Sequence, residues 1–328
     1  MGVIGVGALG SMHLRNLASL PACRVTHVAD THLSEGGAAT AHLHGATLTD
    51  VASMLAPGTV DAVVVSTPTD THAQLVVAAL RAGVSVFCEK PMARTAQEAR
   101  TLVDLARSRG AKVAVGHVVR YFPEYAAAYD LVRGKQLGTV RSARMARLNA
   151  SPGRVQQWYR QSGRSGGVLL DMAIHDIDWA LWTFGPAARV FATRAGEPGA
   201  EVVSVTLKHL DGQITYLDAS WRDDAFSTSL ELWGSEGFYR VAGSSSAGFE
   251  VSCPRTDQSG DYLPGPDSSP VPDDPYRLEL AAAVDWFAGT GPAPLATAEE
   301  GLAALRVVEA AEASIQSRQP VMVEEEAA

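Results

Sequence analysis

A chain of 328 residues exceeds the usual size of a single hydrophobic core, so two domains are expected, each long enough to bury its own interior. The composition, 46% hydrophobic and 19% charged, is that of a globular protein, and a formal charge of −9 offers no basic field for phosphate backbones or an anionic membrane surface. Nucleic acid and membrane are thereby set aside as partners, and a small molecule is expected instead.

In chain order, the first third alternates short β-branched runs with Ala/Leu-rich helical patterns. VIGV is a strand, ALGSMHLRNLASL a helix, CRVTHVAD a strand, SEGGAATAHL a helix and DAVVVS a strand. The alternation continues through THAQLVVAALRAG, VSVFCEK, TAQEARTLVDLARSRG and KVAVGH. Strands alternating with helices imply βαβ units, hence a parallel sheet with helices on both faces and a Rossmann-like domain over 1–117. After the helical PEYAAAYDLVRG the pattern changes to longer alternating segments, TVRSARMARLNA, EVVSVTLKHL, QITYLDASW and STSLELWG, which predict an antiparallel sheet. The stretch from Gly243 to Pro275 is rich in Ser, Gly, Pro and Asp and is expected to be a loop. Two amphipathic helices follow, YRLELAAAVDWFAG and AEEGLAALRVVEAAEASIQS.

The expected fold class is therefore an α/β Rossmann-like N-terminal domain plus an α+β C-terminal domain over 118–328 with an open, mainly antiparallel sheet. The C-terminal helices can pack back on the first domain. A sheet covered by helices on one face leaves its other face needing a partner, so a homodimer or homotetramer through that sheet is expected. Cys23, Cys88 and Cys253 are far apart and form no CxxC pair, which argues against a structural zinc or a redox couple. No stretch approaches the roughly 18 apolar residues of a membrane span and no signal-peptide pattern is present, so a cytoplasmic location is expected.

The strand–helix junction GVGALG carries Gly5, Gly7 and Gly10 in the spacing of a dinucleotide fingerprint. Gly5 permits the tight turn, Gly7 lets backbone approach a pyrophosphate, and Gly10 allows close helix–sheet packing. The phosphates would rest on the helix N-terminus at Ala8, Leu9 and Gly10, where free N–H groups and the dipole favour anions. Asp30 ends the second strand about 20 residues later, where a carboxylate accepts from the ribose hydroxyls. Thr31, His32 and Leu33 supply no cation for a 2′-phosphate, so NAD is preferred to NADP. The next two strands end in STPTDTH and FCEKPM, and strand ends border the ligand crevice of such a sheet. Ser66, Thr67, Pro68, His72, Glu89 and Lys90 are therefore candidates to line it.

The run LLDMAIHDIDWALW has the apolar spacing of a buried helix but carries three acids and a histidine. Asp171, His175 and Asp178 fall at i, i+4 and i+7 on one face. Buried charge is costly unless paired or used, so this face is either a site or an internally satisfied structural cluster. No metal is expected, because the spacing supplies no further ligands. Just upstream, RVQQWYRQSGRSGG contains Trp158 and Tyr159 with Arg154, Arg160 and Arg164. An aromatic there could stack on a sugar ring, or could simply be tucked into the core.

Taken in order, GVGALG, STPTDTH, CEKP and GGVLLDMAIHDID resemble the glucose–fructose oxidoreductase/inositol dehydrogenase (Gfo/Idh/MocA) family over nearly the whole chain. GHVVRYFPEY and the GLAALRVVEAAEAS helix extend the likeness. EKP followed about 80 residues later by D-x-x-x-H is its specific part. The resemblance implies that Lys90, Asp171 and His175 face the nicotinamide ring across a domain cleft. Val119 departs from the pattern, since many polyol-oxidising members place an arginine there; Arg120 is kept and joins Trp158 and Tyr159 as a substrate candidate. The implied activity is an NAD-dependent dehydrogenase that moves hydride between a CH–OH group of a sugar, polyol or related cyclic substrate and the nicotinamide. In it His175 is the base, Lys90 donates to the substrate oxygen and Asp171 orients the histidine. An NAD-dependent glycosidase working by transient oxidation and a non-catalytic NAD/sugar sensor stand as alternatives.

Overall fold

The computed structural model describes residues 1–31, 45–154, 157–243, 249–252 and 274–324. The helix expected at 34–43, Cys253, His32, Leu33 and most of the loop expected from 243 to 275 lie outside the described residues. Among the described residues the longer helices are α1 (Ala8–Ala18), α2 (His72–Arg81), α3 (Ala96–Arg109), α4 (Pro123–Arg133), α5 (Ile174–Phe184), α6 (Pro275–Ala288) and α7 (Ala298–Ser317). None is long and apolar enough to cross a membrane. The chain divides into two compact units, Met1–Tyr121 with Asp273–Leu302, and Phe122–Pro272 with Ala303–Ala328.

The first unit is built on six parallel strands, β1 (Gly2–Ile4), β2 (His27–Ala29), β3 (Thr47–Leu48), β4 (Ala62–Val65), β5 (Ser85–Glu89) and β6 (Val113–Gly116), in the order β3-β2-β1-β4-β5-β6. Strands β1 and β4 in the middle of the sheet and β6 at its edge are buried along their whole length, which is why DAVVVS and KVAVGH are nearly continuous apolar runs. Strand order reverses between β1 and β4, which are hydrogen-bonded neighbours. A ligand crevice belongs beyond their carboxyl ends, where Gly5 and Ser66 stand. Helix α3 begins with a capping box between Thr95 and Glu98 and ends on Gly110 in the left-handed region (φ 60°). Helix α6 is part of this unit's core: Leu280, Ala283 and Val284 pack with Leu14, Leu17, Val28, Val64 and Phe87. The sequence places the boundary at 117, and the structure assigns α6, far along the chain, to the first unit.

The second unit holds an eight-stranded sheet of β7 (Val140–Ala150), β8 (Ala187–Glu197), β9 (Ala200–His209), β10 (Ile214–Ser220), β11 (Arg222–Gly234), β12 (Phe238–Gly243), β13 (Phe249–Ser252) and β14 (Val321–Met322). Its order is β13-β12-β11-β7-β10-β9-β8-β14. The pairs are antiparallel except β7 with β10, which run parallel. Strict alternation, with Val203, Val205 and Leu207 buried on β9 and Leu217 and Ala219 on β10, gives the sheet one interior face. Trp179 of α5 belongs to the same core, its indole Nε1 donating to the Tyr125 carbonyl of α4 at 3.1 Å. Strand β8 was not expected. Its sequence, AARVFATRAGE, is low in β-branched residues, and pairing along β9 makes it a strand.

Candidate active site

The glycine turn after β1 has the shape a dinucleotide needs. Gly5 has φ +90°, and a Cβ there would lie 2.8 Å from the Ser66 carbonyl oxygen. At Gly10 a Cβ would lie 2.0 Å from the Gly5 carbonyl oxygen, so both positions require the bare backbone. Gly7 is the opposite case, because a Cβ there would meet nothing within 4 Å. Gly7 also caps α1 without any side-chain hydrogen bond, and the first turn carries no acid. The leading N–H groups of Ala8, Leu9 and Gly10 thus open toward the free side of Gly7, which fits a pyrophosphate. Asp30 directly follows β2, and its Oδ2 accepts the Val6 N–H at 2.7 Å, which pins the carboxylate beside the turn.

The ends of β4 and β5 are joined through His72. The Ser66 hydroxyl donates to the Gly5 carbonyl at 2.9 Å, and the hydroxyls of Thr67 and Thr71 are 2.6 Å apart. The Pro68 carbonyl accepts the Thr71 hydroxyl at 2.7 Å. His72, buried at the head of α2, places Nε2 2.7 Å from the Thr67 carbonyl oxygen and Nδ1 2.8 Å from that of Pro91, which follows Lys90 through a cis peptide bond. Burial pushes the imidazole pKa down, and the two carbonyls and Glu89 pull it part of the way back. Glu89 accepts from His13 Nε2 at 2.7 Å and from the Lys90 N–H at 3.1 Å. Burial alone would raise its pKa, but the His13 hydrogen bond and the positive charges of His13, Lys90 and His72 outweigh that and lower it. His72 and Glu89 were expected to line the crevice. Both are buried, so they stand behind its wall and fix the turn that carries Lys90.

In the second unit the segment leading to α5 opens with Gly166 (φ +79°) and Gly167 (φ +68°). A Cβ on Gly167 would lie 2.9 Å from the buried carboxylate of Glu201, which accepts the Val168 N–H at 3.2 Å and so caps the helix from β9. Leu169–Ala173 forms a π-turn carrying Asp171, and α5 starts at Ile174 with His175 next. Such turns are frequent at functional sites. Asp171 and His175 are half-buried, whereas Asp178 is only 1% exposed. The uniform α spacing expected from the sequence had placed all three together. The structure sets Asp178 inside the unit.

Two residues of this region went unnoticed in the sequence. Arg147 of β7 donates through Nε and Nη2 to the two oxygens of Asp176, each at 2.9 Å, and Nη2 also reaches the Tyr125 hydroxyl at 3.3 Å. All three are buried, so a bidentate ion pair locks α5 to the sheet. The signal was present: Arg147 shares the inward parity of Ala143 and Met145. Upstream, Trp158 and Tyr159 stack with centroids 3.9 Å apart, Tyr159 meets Trp221 edge-on, and the Arg164 guanidinium lies 5.9 Å from the Trp158 ring centre. Arg120 lies elsewhere, in the first unit. Only 2% exposed, it donates to the Leu295 carbonyl and to Glu300 Oε1 (2.6 Å), so its guanidinium ties the C-terminal segment down.

Comparison with known proteins agrees with this geometry. Residues 1–117 match the oxidoreductase family with an NAD-binding Rossmann fold, and residues 125–240 match the Gfo/Idh/MocA C-terminal domain. The chain is 32% identical over 335 residues to inositol 2-dehydrogenase 2 of Paenarthrobacter aurescens (strain TC1), covering 97% of this chain and 96% of the relative. It is 28% identical over 342 residues to inositol 2-dehydrogenase of Rhizobium meliloti (strain 1021), covering 98% of each. The solved structure of GenD2 from gentamicin A biosynthesis, in complex with NAD, superposes with a TM-score of 0.85 at 27% identity over 99% of this chain and 96% of that one. A fingerprint turn shaped for a dinucleotide, the six-stranded parallel sheet beneath it and matches to both domains place this chain in the Gfo/Idh/MocA family of NAD-binding oxidoreductases.

Proposed function

We propose that the protein oxidises a secondary alcohol of a sugar, polyol or related cyclic compound with NAD, and that Lys90, Asp171 and His175 carry the chemistry. The observation that carries this reading is the contrast along one helix: Asp176 and Asp178 are buried, while Asp171 and His175 stay partly open on and beside a π-turn. A purely structural helix gains nothing from leaving an acid and a histidine there. The names of the similar inositol 2-dehydrogenases support a polyol substrate.

NAD, when bound, would supply the hydride acceptor for the carbinol carbon. Gly7 with the α1 N-terminus holds the pyrophosphate, and Asp30 accepts from the adenosine ribose and repels a 2′-phosphate, which makes NAD the preferred form. His175 accepts the hydroxyl proton, Asp171 orients its ring, and Lys90 donates to the oxygen as alkoxide character develops. Trp158 and Tyr159 offer stacking surface for a ring. The open face of the second sheet, where Phe191 and Tyr216 are 39% and 40% exposed, supports a homodimer or homotetramer. A cytoplasmic location belongs to the same reading.

The test is a dehydrogenase assay over polyols, aldoses and sugar acids with NAD and NADP. Accumulation of NADH with a cyclic polyol or sugar is expected. Release of a leaving group from a glycoside without net NADH would replace this reading by the glycosidase one. Binding without turnover across the panel would favour the sensor.

A further inference from the structure

Behind the Lys90 turn lies a buried group that the chemistry above does not use. Glu279 of α6 is 2% exposed, and neither of its carboxyl oxygens has a hydrogen-bond partner. One ring nitrogen of His13 and one carboxyl oxygen each of Glu89 and Glu279 lie within 4.8 Å of one another. His13 Nδ1 is also without a partner. The surroundings are apolar, with Leu14, Phe87, Leu280 and Ala283 in the same core.

Two carboxylates this close, in such a medium, cannot both hold their charge cheaply, because each needs water or a cation that the core does not supply. The one nearby ring already serves Glu89 through Nε2. We propose that Glu279 is a positioning residue for Lys90: it stands as a neutral carboxylic acid, and Glu89 is then the sole negative charge beneath the turn. The inference rests on the reading of Lys90 as a catalytic group. An ionised Glu279 would instead push against Glu89, the group that accepts both the His13 Nε2–H and the Lys90 N–H.

The titratable groups around the cluster agree with this state. Burial, with the carboxylates of Glu89 and Asp274 adding to it, pushes the Glu279 pKa well above the usual carboxyl range. Asp274, at the head of the same helix, is held by Asn16 Nδ2 at 2.8 Å. Tyr276 packs 6.2 Å from the His13 ring, and Tyr121, whose hydroxyl pKa is pushed up to about 12 mainly by burial, stays neutral nearby. The hydrogen bond from His13, with the charges of His13, Lys90 and His72, outweighs burial and lowers the Glu89 pKa.

The experiment joins an infrared measurement with kinetics on the full chain. Wild type at neutral pH is expected to show the carbonyl stretch of a protonated carboxylic acid that is absent from Glu279→Gln. A folded Glu279→Ala should lose kcat by about tenfold or more through a displaced Lys90, with NAD affinity nearly kept, while Glu279→Gln, which copies the neutral acid, restores most of that loss. Absence of the band overturns the proposal, and so does a Glu279→Gln variant as impaired as Glu279→Ala. A stoichiometric divalent metal that copurifies with wild type and is lost in Glu279→Gln also overturns it. The infrared result stands without turnover, so it judges the cluster even if Lys90→Ala shows that lysine to be dispensable.

Discussion

In the first unit strands β1, β4 and β6 are short and buried along their whole length, and the candidate groups sit at strand ends, where glycine backbone and two turns converge. In the second unit the strands run up to 13 residues and alternate sides, and the candidate groups sit on a helix laid against the sheet. One unit builds its site from local turns. The other needs side chains distant in sequence, Arg147 with Asp176 and Glu201 with Val168, to hold a helix in place. If that contrast is right, damage at Gly7 in the first unit should show mainly in cofactor binding, and damage to the buried ion pair of the second in stability.

The strongest way to break it is at Arg147. Arg147→Met leaves the Asp176 carboxylate buried without its bidentate partner and should cost about 3–5 kcal/mol of stability. Adding Asp176→Leu should recover much of that loss, because a buried ion pair and an apolar pair of similar volume are nearly equivalent. Denaturant unfolding of the two variants checks both points. A loss within about 0.5 kcal/mol for the single change, the size of an ordinary surface substitution, would remove the lock from the account.

Next in size are the groups proposed to react. His175→Ala and Lys90→Ala should each reduce kcat by about 10²-fold or more while NAD affinity changes little. Asp178→Asn should be milder in kcat, since that carboxylate is enclosed. Near-normal activity of folded His175→Ala across the pH range would transfer the role of base to another group.

The glycine turn separates packing from ligand binding within a few residues. Gly10→Ala would press a methyl against the Gly5 carbonyl and should cost about 1–3 kcal/mol by overpacking. Gly7→Ala, with open space on that side, should leave stability nearly unchanged and weaken NAD binding alone. Thermal unfolding with and without NAD distinguishes the two. Equal destabilisation would mean that the space beside Gly7 is not where the cofactor passes.

The same difference between the units explains what the sequence disclosed. The parallel sheet, the fingerprint glycines and Asp30 were legible because each is specified by neighbours within one βαβ unit. Asp171 and His175 were legible as residues, but the π-turn between Leu169 and Ala173 was not, because apolar spacing assumes 3.6 residues per turn throughout. Glu279 and His13 were hidden for another reason. They lie on helices hundreds of residues apart and meet only when α6 joins the first unit's core. Arg120 read as a substrate candidate because the resemblance of GHVVRYFPEY implied it; its Glu300 partner lies 180 residues away.

The smallest effect is one of pH, and the two units should differ in its sign. Glu279, in the first unit, has a folded pKa raised above the unfolded carboxyl value of about 4.3, chiefly by burial. The folded chain therefore keeps a proton that the unfolded chain releases. Its stability contribution is full below the unfolded pKa and is lost as pH rises toward and through the folded one. His209, in the second unit, has its pKa lowered by burial, with the Gly185 carbonyl only partly opposing. Its contribution is present above the unfolded histidine pKa of about 6.5 and is lost as pH falls through the folded value. His72 in the first unit follows the histidine rule too, so the acid limb is shared; between about pH 5 and about pH 8, below the range of the raised tyrosines, the loss with rising pH belongs to Glu279. Replacing Glu279 by Gln removes that titration without changing shape. The Tm of Glu279→Gln relative to wild type should therefore climb between about pH 5 and about pH 8, by an amount that grows with the size of the shift. A Tm difference that stays flat over this range would mean that Glu279 ionises as it does in the unfolded chain, and the two units would then respond to pH alike.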